Sequence, residues 1–166
     1  MRIHGWEIHC HPCFQGQLAN LLADARQAVV RRPTNFRSSN AFKMLAAVAR
    51  LAFDEIPKDP ADPRFRQGSA LGESHKHWFR AKFFQQYRLF FRYNEKARII
   101  IYAWVNDEHT LRAYGSKSDA YKVFAGMLKN GNPPDDWASL KKALTPEREL
   151  AELVAALGEV HRRERE

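Results

Sequence analysis

Polar and apolar residues alternate through "HGWEIHC", with Trp6 and Ile8 on one side, and the alternation stops at His11-Pro12. That period of two predicts a first strand, and Pro12 is placed to open a helix. Phe14, Leu18, Leu21, Leu22, Ala25 and Val29 then recur at helical spacing, giving an amphipathic helix that ends near Arg32-Pro33. A second helix carries Phe42, Leu45, Ala49, Ala52 and Ile56 on one stripe, with Lys43 and Arg50 on its polar side. "PKDPADPRFRQG" has three prolines and a closing glycine, which predicts a loop, and the chain stays polar through "ESHKH".

Three strands follow, at about Trp78 to Phe84, Tyr87 to Tyr93 and Arg98 to Asn106. The last is apolar on both faces through Ile99, Ile100, Ile101, Tyr102 and Trp104, as a central strand is. "SDAYKVFAGMLKNG" predicts a third helix, with a Ser or Asp N-cap, apolar Tyr121, Phe124 and Leu128, and a stop at Gly131. The tail "TPERELAELVAALGEVHRRERE" starts with Thr145-Pro146 as an N-cap and N1 pair and places Leu150, Leu153, Val154 and Leu157 on one helical face.

This order predicts an α+β fold: a small, mostly antiparallel sheet made of the first strand and a three-stranded meander, with two N-terminal helices packed on one face and further helices at the C-terminus. The other face is expected to be open. The chain divides into a domain over residues 1–144 and a helical extension over 145–166.

A chain of 166 residues supports one hydrophobic core, and its 45% hydrophobic and 28% charged residues are those of an ordinary globular protein. The net charge of +8 is unevenly placed. Residues 64–98 hold nine Lys or Arg against Glu73 and Glu95, so that segment alone carries +7, a field that draws polyanions. Cys10 and Cys13, three residues apart, cannot make a disulfide framework, and the longest apolar run, "IIIYAWV", is far short of a membrane span. A cytoplasmic protein with no membrane partner is expected. "HCHPC" offers His9, Cys10, His11 and Cys13 as zinc ligands, but strand geometry turns Cys10 away from both histidines and no second half-motif follows, so no metal and no cofactor are expected.

The cations fall on one face of the best strands. Along a strand Arg80 and Lys82 point one way while Phe79, Ala81 and Phe83 point the other, and Arg88, Phe90 and Arg92 share a face opposite Tyr87, Leu89, Phe91 and Tyr93. A solvated face chosen for stability would mix in acids to gain cross-strand pairs. A face with cations alone beside aromatic residues suits phosphate contact and base stacking.

The blocks "GWEIHCHPCF", "PRFRQG", "HWFRAKF", "YRLFFRY", "YAWVNDEHTLRAYG" and "DAYKVFAGMLKNGNPPDDW" resemble, in order and spacing over about residues 4–142, the YhaV family of bacterial toxins, within the RelE/ParE-like superfamily. The resemblance implies a metal-independent RNA endonuclease that inhibits translation and arrests growth. It implies neutralisation by an AbrB-type (PrlF-like) antitoxin in a hetero-oligomer, which autoregulates its operon on operator DNA, with RNA, ribosome-bound RNA included, as substrate. Metal-free cleavage uses the RNA 2′-OH as nucleophile and needs preorganised cations for the added charge. Arg80 and Arg88 suit the phosphate, and Lys82 suits charge stabilisation or proton transfer. The superfamily pattern adds Arg112 and Tyr114 from "LRAYG". His109 is a further candidate general base, and Arg64, Arg66, Lys76, Arg92 and Tyr121 are candidate RNA contacts. Two alternatives stand beside this: a ParE-like inhibitor of a protein such as gyrase, and a nucleic-acid-binding regulator without catalysis.

Overall fold

The computed structural model describes residues 1–165; Glu166, the last residue of the extension read from the sequence, lies outside the described residues. The chain opens with a short hairpin of β1 (Arg2–Ile3) and β2 (Trp6–Cys10), turning through His4 and Gly5, both at positive φ. Trp6, Ile8 and Cys10 are buried while Glu7 and His9 are half-buried, so the period-two pattern is realised. α1 (Pro12–Arg31) follows with Pro12 in its first turn, and His11 serves as its cap, Nδ1 accepting the Cys13 N–H at 3.1 Å.

α2 (Asn40–Arg50) is capped by Ser39 and runs on through a π turn at Leu51–Glu55 into α3 (Ile56–Lys58). A π turn disturbs the regular carbonyl partners of a helix. Here the Tyr102 hydroxyl, buried below it, donates to the Ala52 carbonyl.

The meander comprises β3 (Phe79–Phe83), β4 (Tyr87–Asn94) and β5 (Ile99–Val105), and the five strands lie in the order β1-β2-β5-β4-β3. All neighbours are antiparallel except β2 and β5, which run parallel, so the sheet is mixed and β5 is central. One face packs under α1, α2 and α6 (Glu147–Glu164), where Phe14, Leu18, Leu45 and Leu157 meet Ile8, Leu89, Phe91, Ile100 and Tyr102. Thr145 is buried and its N–H donates to the Cys10 carbonyl at 2.9 Å, tying the start of the C-terminal segment to β2. α6 begins one residue later than the cap pattern suggests, with Pro146 as N-cap rather than first helical residue.

The second face is not open, contrary to the expectation from the sequence. α4 (Ala120–Lys129) and α5 (Trp137–Lys142) cover it, and Leu71, Trp78, Phe90, Ile101, Trp104, Phe124 and Leu140 form a second core. Phe90 stacks on Phe124 at 4.3 Å between ring centroids, with Trp104 stacked on Phe124 at 5.9 Å, so Phe90 is packed and does not face solvent beside the cations. The cause lies in β5: Ile99, Ile101 and Trp104 project to this side and would otherwise meet water, and each fully buried large apolar side chain is worth about 1.5–3 kcal/mol. A register shift at Phe90/Phe91 pairs Phe90 with Trp104 and Phe91 with Tyr102, keeping one aromatic pair in each core.

Candidate active site

The β3–β4 hairpin turns through Phe84 and Gln85, at φ 44° and 64°, which sets Lys82 opposite Arg88 and Arg80 opposite Phe90. Arg80 and Arg88 therefore lie diagonally across neighbouring strands on the second face, at the margin of the layer formed by α4. Both are buried, at 8% and 7% exposure. Two cations buried on one face lose hydration and need a polar acceptor to hold them in place.

Tyr121, in the first turn of α4, does so. Its hydroxyl accepts from Arg80 Nε at 2.9 Å and from Arg88 Nε at 3.1 Å. Arg80 Nη1 donates to the Arg64 carbonyl at 2.7 Å, and Arg88 Nη1 donates to the carbonyls of Gln85 and Tyr87 at 2.7 and 2.9 Å. A third guanidinium, that of Arg112, lies 4.7 Å from the Tyr121 ring centroid and 5.6 Å from that of Tyr114. Three cations thus converge on one tyrosine.

Asp119, the acid that joins this arrangement through Arg112, is engaged on both oxygens. Its Oδ1 accepts from Arg112 Nη1 at 2.7 Å and from the Ala113 N–H at 2.8 Å, and its Oδ2 caps α4 by accepting the N–H groups of Tyr121 and Lys122. Among the described residues neither Arg80 nor Arg88 forms an ion pair. Buried cations without counter-charge make a place for an anion.

Residues 8–145 match a family described as a toxin with endonuclease activity, of a toxin–antitoxin system, named Toxin_YhaV. The chain belongs to the YhaV toxin family. It is 47% identical to Toxin YhaV of Escherichia coli O6:H1 over 141 residues, 84% of this chain and 92% of that protein. It is 46% identical over 143 residues to Ribonuclease toxin YhaV of Escherichia coli K12, covering 85% and 93% of the two chains. No solved structure matches it. The YhaV match spans the hairpin, the loop that carries Arg112, and α4, hence every member of the cluster.

Within this fold the candidate residues divide by position. Arg80, Arg88, Arg112 and Tyr121 come together; Lys82 is exposed opposite Arg88, and Tyr114, 95% exposed, stands beyond Arg112. Arg64 contributes its carbonyl while its side chain lies over Phe65 and 3.6 Å from Asp62. Arg66 and Lys76 are exposed, Lys76 pairing with Glu73, and His109 is exposed beside Glu108. Arg92 belongs elsewhere on the face: it lies against the rings of Trp78 and Trp137, donates to the Asp135 carbonyl at 2.6 Å, and burial lowers its pKa. "HCHPC" is dispersed, with Cys10 in the first core, its thiol pushed up to about 11 by burial, and His11 engaged as a cap.

Two residues outside the candidate set organise the site. Asn106 accepts the Arg88 N–H at 2.7 Å and donates to the carbonyls of Gln86 and Thr110, stitching the hairpin turn to the loop that delivers Arg112. Asp119 reads from sequence as a helix cap and is one, but it also fixes Arg112. Burial pushes the Asp119 carboxyl up, while the Arg112 hydrogen bond and the Ala113 and Lys122 N–H groups outweigh it and hold the pKa below the usual range. A depressed folded pKa makes this contribution complete above the ordinary carboxylate value of about 4 and removes it as pH falls through the folded value. The stability gap between the parent and Asp119→Asn is therefore expected to shrink below about pH 4 in chemical denaturation. A gap constant down to pH 2 would overturn this.

Proposed function

We propose that this endonuclease cuts RNA without a metal ion, using the Arg80–Arg88–Arg112 cluster around Tyr121. The observation that carries the proposal is the convergence of Arg80 and Arg88 on the Tyr121 hydroxyl, with no carboxylate paired to either among the described residues. Their Nε and Nη1 atoms are held by protein acceptors, and among the described residues no protein acceptor engages either Nη2. Two fixed guanidinium edges then remain for the non-bridging oxygens of a phosphodiester. The RNA 2′-oxygen attacks the adjacent phosphorus, the P–O5′ bond breaks, and a 2′,3′-cyclic phosphate and a 5′-OH result. Preorganised cations stabilise the extra charge of the pentacovalent state at no reorganisation cost. Lys82 and Tyr114, exposed at the rim, are the groups proposed to serve proton transfer and base contact.

The name of the Escherichia coli K12 relative, a ribonuclease toxin, supports RNA as substrate. A RelE-like arrangement, translation inhibition and growth arrest in the cytoplasm, an AbrB-type antitoxin and autoregulation of the operator belong to the same proposal, supported by the family's description as one half of a toxin–antitoxin system. Purified protein is expected to cleave single-stranded or ribosome-bound RNA in excess chelator, leaving a cyclic phosphate end. Intact RNA in both settings would sink the proposal.

A further inference from the structure

We propose that His75, His77 and Asp135 form a binding site for a divalent cation of the zinc class, outside the arginine cluster. His75 closes a short 3₁₀ turn (Glu73–His75), His77 follows two residues later, and Asp135 comes from the loop ahead of α5. His77 Nε2 lies 2.7 Å and His75 Nδ1 3.3 Å from Asp135 Oδ1, and all three candidate ligand atoms lie within 4.8 Å of one another. Ligands about 2.0–2.1 Å from a tetrahedral zinc are a little over 3 Å apart, so a slight opening of the His77–Asp135 contact admits the ion.

Donor chemistry selects the ion. Two imidazoles and one carboxylate suit zinc, cobalt or nickel, whereas magnesium and calcium favour all-oxygen shells. The carboxylate is already oriented, because Trp78 Nε1 donates to Asp135 Oδ1 at 2.7 Å, the kind of outer contact that fixes metal ligands. All three ligand residues are partly exposed, which leaves room for entry and for a water as fourth ligand.

One feature opposes the ion: Arg92, whose guanidinium donates to the Asp135 backbone carbonyl. It feels the Asp135 charge but forms no close ion pair with that carboxylate and is directed against Trp78 and Trp137, so the carboxylate oxygens stay open to the histidines or an ion. A bound ion would pin the loop before β3 to the loop before α5, clamping the cover of the second core. It takes no part in the cleavage step.

The test titrates zinc into chelator-stripped protein by calorimetry, with cobalt absorption as a second readout. One saturable ion is expected, with a tetrahedral cobalt band and a raised thermal midpoint. His75→Ala and Asp135→Asn should each weaken binding by about tenfold or more, and His9→Ala, from the separate Glu7–His9–Glu147 group, should leave it unchanged. His75→Ala decides the matter if Asp135→Asn unfolds, since among the described residues the His75 side chain has one hydrogen bond, the 3.3 Å one to Asp135. Absence of saturable binding, or binding undiminished in His75→Ala and His77→Ala, overturns the inference. Either result leaves RNA cleavage in chelator to be judged on its own assay.

Discussion

Arg80→Ala is expected to slow RNA cleavage about a hundred- to a thousand-fold, the range seen when one preorganised charge-stabilising donor is removed. Arg80 is buried, shares the Tyr121 hydroxyl with Arg88, and has its Nη1 fixed on the Arg64 carbonyl, so its free edge is aimed before substrate arrives. The fold should survive, at a cost of about 1–3 kcal/mol for the acceptors left short of a donor. Tyr121 retains Arg88, and the carbonyl of exposed Arg64 can turn to water. Arg80→Lys keeps the charge but not the forked geometry and should recover only part of the rate. Initial rates at saturating RNA, alongside thermal melts, separate these effects. Expression of Arg80→Ala is likewise expected to relieve growth arrest. Unchanged cleavage by a folded variant would remove Arg80 from the mechanism, and unchanged arrest would shift weight to a protein target.

The strand alternation made one half of this site legible and hid the other. A period of two is enough to place Arg80, Lys82, Arg88 and Arg92 on one face, because a strand admits no other arrangement. It says nothing about what lies over that face. The information was present in β5, whose Ile99, Ile101 and Trp104 require cover as much as Ile100 and Tyr102 do, yet which helix supplies it depends on a contact between segments far apart in the chain. Tyr121 falls on the apolar stripe of α4 together with Phe124 and Leu128, and its ring does pack there. Its hydroxyl acquires a role only when β3 and β4 bring two guanidinium groups to it, a three-element meeting that helical periodicity cannot report. Arg92 is the converse case: it shares the face with Arg80 and Arg88, but the tryptophans around it and the loop ahead of α5 hold it apart from them.

Tyr121→Phe tests whether that hydroxyl acts or merely fills space. The ring keeps its edge contact with Phe90, at 5.6 Å and 90°, and its place under Arg112, so the second core should hold. What disappears is the shared acceptor for both Nε–H groups, at a stability cost of about 1–3 kcal/mol. Released from it, the two guanidinium groups lose their common aim, and misplacement on the scale of 1 Å is enough to lower kcat by about a hundredfold. The number of cations is unchanged, so binding of an RNA with 2′-deoxyribose at the cleavage point should keep its salt dependence, whereas Arg80→Ala should reduce that slope by about one charge. A core residue with no role in positioning would give the opposite pattern: reduced stability with kcat intact in the folded fraction. That outcome would confine Tyr121 to packing and leave the two arginines to be aligned by the Arg64, Gln85 and Tyr87 carbonyls alone.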